Sequence, residues 1–192
     1  MADPLLSRVV DIIDIRYWHY NTDGLWAPEA GKNMAPRQWM RKVKVGKTGF
    51  MEVYRAVREC HDRYPGKAIT YYSQQYPAFG WAVLMGGGSL PNIPMVTTQG
   101  DDLQQTLLSD LSGMQPFDSE GCLTIGDGEH GYVIYTLEQD GKVSVADGRY
   151  DIYAIDAKTG AISLQQKGQS IYGTYILSKA SPDKILWLRR NH

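Results

Sequence analysis

A chain of 192 residues has room for one large domain or two small ones, and a hydrophobic fraction of 43% is that of a globular protein, not a disordered one. A formal net charge of -1 argues against a general nucleic-acid binder, which needs a basic surface to neutralise phosphates. No apolar run approaches the roughly 18 residues of a spanning helix, and the polar start Met1-Ala2-Asp3-Pro4 lacks the apolar stretch of a signal peptide, so neither a membrane partner nor a leader is expected in this chain.

Residues 8–17 (RVVDIIDIRY) read as a strand. Val9, Val10, Ile12, Ile13 and Ile15 give the near-continuous apolar run of a parallel strand buried on both faces. The two-residue period puts Asp14, Arg16 and Trp18 on one face. If that face lines a barrel, Asp14 and Arg16 form a polar pair near its C-terminal mouth, either as a structural ion pair or as a substrate contact.

Residues 18–47 carry Trp18, His19, Tyr20, Trp26, Glu29, Asn33, Arg37, Gln38 and Trp39, and read as a long loop. Gly24, Pro28, Gly31 and Pro36 exclude an ordinary helix there. A loop of this length following a strand sits where barrel enzymes place their active sites. The basic run Arg37, Arg41, Lys42, Lys44 and Lys47 reads as a solvated face in preference to an anion site.

Residues 48–64 form an amphipathic helix, with Phe50, Val53, Tyr54, Val57 and Cys60 at helical spacing, Thr48 as the expected N-cap and Pro65-Gly66 as the stop. Cys60 and His61 read as packing and surface. A second strand over 67–73 leads into Gln74, Gln75 and Tyr76, and a short buried helix over 78–86 ends at Gly86-Gly87-Gly88. That triplet follows a helix and does not fit a GxGxxG phosphate cradle, so close packing and a turn are expected. A third strand over 93–97 and a third helix over 101–113 follow, the helix capped by Asp101 or Asp102 and striped with Leu103, Leu107, Leu108 and Leu111.

After Pro116 the period changes to two. Segments near 121–125, 131–138, 142–146, 149–156, 161–166, 171–178 and 184–189 read as strands, with Asp127-Gly128, Asp140-Gly141, Asp147-Gly148 and Thr159-Gly160 as turns. The expected architecture is therefore α/β followed by all-β: three βα units over 1–115, then a small antiparallel β-sandwich over 116–192. Three units cannot close an eight-stranded barrel of about 250 residues. The expectation is the last three units of a partial (β/α)8 barrel with an appended sandwich. The open edges predict a homodimer, pairing with an absent N-terminal barrel portion, or marginal stability.

Thirteen Tyr and 5 Trp stand against 3 Phe, a bias toward rings with a polar handle that suits stacking on sugars or burial with a hydrogen-bond partner. Cys60 and Cys122 fall in different predicted domains, and His19, His61, His130 and His192 are scattered, so no disulfide framework, metal site or other cofactor is expected.

The strand DIIDIRYWHY, the loop LWAPEAGKNMAPRQ and the stretch YYSQQYPAFGWAVLMGGGS resemble the closing part of a group of bacterial polysaccharide-degrading (β/α)8-barrel proteins, similar to glycoside hydrolases. In that group a small β-sandwich follows the barrel, and YDIYAIDAKTGAI with KILWLRR looks like it. The resemblance implies a carbohydrate ligand, a site at the barrel mouth, and a parent protein that is periplasmic or secreted. It also exposes a departure. Many barrel glycosidases end their seventh strand in a nucleophilic Glu, whereas KAITYYSQQYP ends in Ser73-Gln74-Gln75. The group then uses another acid, or the acids lie on absent strands, or the scaffold has lost hydrolysis.

Glycoside hydrolysis needs two carboxyl groups. Glu29 and Asp14 are the candidate catalytic residues, with Asp23 reading as a turn residue. A wall such as Trp26 would raise the pKa of Glu29 and suit an acid, while Arg37 would lower it and suit a nucleophile or base. Alternatively, Glu29 pairs with Arg37 to hold the loop. Trp18, Tyr20, Trp26, Arg37, Gln74 and Tyr76 are the candidate substrate contacts. Three readings stand: a glycoside-hydrolase-like fragment, a non-catalytic carbohydrate-binding or interaction module, and a sandwich that only buttresses a barrel.

Overall fold

The computed structural model describes residues 11–15, 49–71, 79–94, 102–137, 140–178 and 184–191, together with the backbone of 19–21 and 24–26. The chain divides into two compact units, Met1–Ile93 and Pro94–His192. Among the described residues no helix is long and apolar enough to cross a membrane.

In the first unit, β1 (Ile12–Ile15) pairs in parallel with β4 (Ala68–Tyr71), in the register Ile13↔Ile69, Asp14↔Thr70 and Ile15↔Tyr71. The two are joined through a hairpin, β2 (His19–Asn21) with β3 (Gly24–Trp26), and the helix α1 (Phe50–Arg63). The hairpin corrects the expectation of an irregular loop after β1. Asn21 and Gly24 face each other in its register, as do Tyr20 and Leu25.

Alternation governs β1 and β4. Ile15, Ile69 and Tyr71 are buried with Val53, Val57 and Cys60 of α1, and Ile13 packs beside them. The other face is open: Ile12 is 59% exposed and Asp14 is exposed too. The expectation of burial on both faces is thus corrected, because α1 covers one face only. The helix begins one residue later than predicted. Gly49 is its N-cap, and the Gly49 N–H donates to Glu52 Oε2 at 3.1 Å, satisfying a donor that the helix leaves orphaned.

The short helix α2 (Gly80–Met85) is buried throughout and ends in the glycine triplet. A Cβ on Gly86 would stand 2.9 Å from Val57 Cβ, and one on Gly88 would stand 2.3 Å from Val83 Cγ1. These glycines therefore permit close approach to α1 and to the preceding turn. Ser89 then binds β4: its N–H donates to Ile69 O at 2.8 Å and its Oγ accepts from Ile69 N–H at 3.2 Å. Ile93 and Pro94, the start of the expected third strand, are coil, and residues 95–97 lie outside the described residues.

The second unit holds α3 (Asp102–Leu111) and a six-stranded antiparallel sheet. The strands are β5 (Gln115–Phe117), β6 (Cys122–Gly126), β7 (Gly131–Thr136), β9 (Gly148–Asp156), β10 (Ile162–Ile171) and β12 (Lys184–Asn191), in the order β10-β9-β12-β7-β6-β5. A second sheet pairs β8 (Gly141–Ser144) with β11 (Thr174–Leu177). On one face of the large sheet Tyr132, Ile134, Ile152, Leu186 and Leu188 join Val143 and Leu177 of the small sheet in one core. The opposite face is also apolar and buried, with Val133, Tyr135, Tyr153, Ile155, Ile185 and Trp187 at matching register positions.

The stripe predicted for α3 is corrected. Gln104, Leu107 and Asp110 are its buried residues, while Leu108 is 50% exposed. Asp110 turns toward β12, where Arg189 Nε lies 3.9 Å from Asp110 Oδ2.

Turn chemistry accounts for the DAKTG stretch. Asp156 Oδ1 accepts the N–H of Lys158 at 2.9 Å, the N–H of Thr159 at 2.7 Å and the Thr159 hydroxyl at 2.9 Å. Gly160 closes the turn at φ 75. This is an Asx turn joining β9 to β10, which explains Asp, Thr and Gly at that spacing without a ligand. Two tyrosines grip Ala146 between β8 and β9: its N–H donates to Tyr132 Oη at 2.8 Å, and the Tyr150 hydroxyl donates to its carbonyl at 2.7 Å. Burial, aided by Tyr132, pushes the Tyr150 hydroxyl up to about 12, so it stays a donor.

Candidate functional site

Asp14 is the one sequence-predicted site residue whose side chain is described. It stands next to the C-terminal end of β1, on the face opposite α1, and its Oδ1 accepts the Thr70 hydroxyl at 3.0 Å. Parallel register brings the two together across 56 positions of sequence. Tyr20 and Trp26 are on the facing strands of the β2–β3 hairpin, where Tyr20 pairs with Leu25 and Trp26 with His19. Trp18, Glu29, Arg37, Gln74 and Tyr76 lie outside the described residues, as does Arg16. Cys60 lies in the α1 core, where burial pushes its thiol up to about 11 and leaves it a poor nucleophile.

The second unit contains two polar clusters that the sequence did not single out. At the β6–β7 turn, Asp127 Oδ1 accepts the N–H groups of Glu129, His130 and Gly131 at 2.9, 2.8 and 3.2 Å. Its Oδ2 lies 2.6 Å from His130 Nδ1. Burial opposes the Asp127 charge, but the His130 ring and the three N–H groups outweigh it and hold the carboxyl below its ordinary range. His130 is raised in turn by its hydrogen bond to Asp127. Asp110 is shifted upward by burial against the pull of Arg189. The Asp-Gly turn signal could have located this cluster, since an Asx turn that also takes a histidine needs Asp at its first position.

The other cluster is an open groove of about 500 Å3, lined by Arg149, Lys167, Gly168 and Asn191 at one corner of the large sheet. Among the described residues no group of three His, Cys, Asp or Glu side chains is placed to hold a metal ion.

Two solved structures share the fold. A glycoside hydrolase matches with a TM-score of 0.55 at 10% identity, over 96% of this chain and 54% of its own. A glycoside hydrolase family 5 structure from Bacteroides vulgatus matches with a TM-score of 0.51 at 9% identity, over 96% of this chain and 52% of its own. The chain thus spans about half the length of each. No curated protein matches it. The family model of a domain of unknown function, DUF6298, matches residues 1–110, more than half of the chain, and the chain belongs to that family.

Proposed function

We propose that this chain is the closing portion of a glycoside-hydrolase-like protein that acts on or binds a polysaccharide. One observation carries the reading. The parallel pair β1–β4 is backed by a helix on one face and presents Asp14 and Thr70 on the other, beside the strand C-termini, which is where a (β/α)8 barrel keeps its inner face and its site. In this reading residues 1–115 supply three βα units, residues 116–192 supply the β-sandwich, and the uncovered face meets an N-terminal barrel portion. A dimer in sedimentation would instead put a second copy there. The parent protein is periplasmic or secreted, where such polymers are met. Glu29 and Asp14 are the acids, and Trp18, Tyr20, Trp26, Arg37, Gln74 and Tyr76 hold the sugars. A non-catalytic binding module is favoured instead by the Ser73-Gln74-Gln75 end of the second predicted strand, which has no carboxylate.

Reducing-end release from a panel of neutral and acidic polysaccharides tests the two readings. Release that Glu29→Gln or Asp14→Asn abolishes, with binding retained, supports the hydrolase. Binding without release supports the module. If no polysaccharide is bound or cut, both fall.

A further inference from the structure

We propose that the groove lined by Arg149, Lys167, Gly168 and Asn191 binds a carboxylate-bearing sugar residue of an acidic polysaccharide. The proposal rests on the carbohydrate reading above and adds a second site with its own chemistry. The groove is shaped by an irregularity in β10, whose pairing with β9 slips between Leu164 and Gln166 and again between Gln166 and Gln169. Bulges of this kind redirect side chains and recur beside functional sites.

Gly168 sits in the bulge at φ 64, and a Cβ there would stand 2.9 Å from Arg149 Nη2. The missing side chain lets the guanidinium lie across the backbone, where Arg149 Nε donates to Gly168 O at 3.4 Å. Asp151 fixes the other wall: its Oδ1 accepts the Gly168 N–H at 2.7 Å and Asn191 Nδ2 at 3.0 Å. That carboxylate is engaged in holding the bulge and the end of β12. Among the described residues neither Arg149 nor Lys167 is in a salt bridge, and both are exposed.

Two cations therefore flank an open space within the roughly 300–1,000 Å3 of ligand clefts, with one carboxylate nearby. A planar guanidinium matches a carboxylate with two parallel hydrogen bonds, and an ammonium adds a point charge. The glycine backbone and the Asn191 amide leave room for a ring and its hydroxyls. A uronate unit meets all of these features, whereas a neutral sugar leaves both cations unused.

Calorimetry on the full chain with galacturonate oligosaccharides, neutral xylo-oligosaccharides and polyglutamate, at one ionic strength, tests the proposal. The expected result is galacturonate binding that weakens about tenfold or more in Arg149→Gln/Lys167→Gln, with an unchanged thermal melt. Neither the neutral sugar nor polyglutamate should respond to those substitutions. Equal galacturonate affinity in the double variant overturns the proposal. So does polyglutamate binding of the same strength, which would mean that the groove reads charge alone. If the chain binds the neutral sugar but not galacturonate, the groove proposal fails and the carbohydrate reading stands. If it binds neither, the groove proposal fails and the polysaccharide panel decides the carbohydrate reading.

Discussion

The two units bury their strands in opposite ways. In the second, the large sheet is apolar on both faces, and Trp187, Val133 and Ile185 on one side are as fully buried as Ile134 and Leu188 on the other. In the first, β1 and β4 are covered on one face and carry Asp14, Thr70 and Ile12 on the other. An antiparallel sheet usually tolerates one wet face, and a parallel one seldom does. Here the described parts of the chain reverse that habit. Asp14 and Asp156 are both exposed, but Asp14 lies on that open face beside Thr70, whereas Asp156 is consumed by its own turn.

Removing the centre of the large sheet should have the greatest effect. Trp187 is fully buried, its ring centroid lies 5.0 Å from that of Tyr153, and the Arg189 guanidinium stands 5.9 Å over it. Trp187→Ala should cost about 3–5 kcal/mol, read from urea unfolding. Amide exchange should accelerate first in β7, β9 and β12. If α1 and β4 lose protection first, the two units do not hold their strands independently.

The matching change in the first unit is Ile69→Ala. Ile69 is fully buried against α1. The expected loss is about 2 kcal/mol, the low end for such truncations, because a four-residue pair with one covered face can settle around the void. A loss as large as that of Trp187→Ala would mean that the open face conceals more packing than Ile12 and Asp14 indicate.

Thr70→Val separates site from scaffold on that open face. The hydroxyl gives one hydrogen bond to an exposed carboxylate. Stability should change by less than about 0.5 kcal/mol, while any polysaccharide turnover that depends on Asp14 should fall. A stability loss well above that figure would make the pair structural.

Periodicity made α1, β4, α2 and most of the second-unit strands legible, because each has a face that packing enforces. Where no face is enforced, the signal failed. β10 is an edge strand whose residues from Ser163 to Lys167 are all exposed, so the pattern stops at 166 and places the break at 167–170, whereas the bulged strand runs on to Ile171 and β11 begins at Thr174. β5 is three residues long and contains Pro116, which an edge strand accepts and a pattern reader takes for a boundary. On α3 the leucines outnumber the contacts available to them, and Gln104 and Asp110 take buried positions that hydropathy gives to Leu108. Of the candidate site residues, Asp14 could be placed because two strands fix it in register with Thr70. The groove at Arg149 and Lys167 was invisible, since it depends on a bulge and on cross-strand neighbours far apart in sequence.

The smallest effect concerns pH and the Asp127–His130 pair of the second unit. Asp127 is held below its ordinary value of 3.8, so its contribution is present above that pH and is lost as pH falls through the lower folded value. His130 is raised above 6.5 by the same hydrogen bond, so its contribution is complete below 6.5 and fades as pH rises through the higher folded value. The pair stabilises most between those limits. Asp110, raised by burial, works the other way: its share is present below 3.8 and is lost as pH climbs through its folded value. The stability of the second unit should therefore decline gently from mildly acidic to alkaline pH. His130→Ala should flatten the alkaline part of that decline, and Asp110→Asn the acidic part. Amide exchange across β6 and β7, measured against β4 as an internal reference, gives the readout. An equal decline in β4, whose residues Ala68–Tyr71 include no Asp, Glu or His, would mean that the pH response is global and that the Asp127–His130 bond does not cause it.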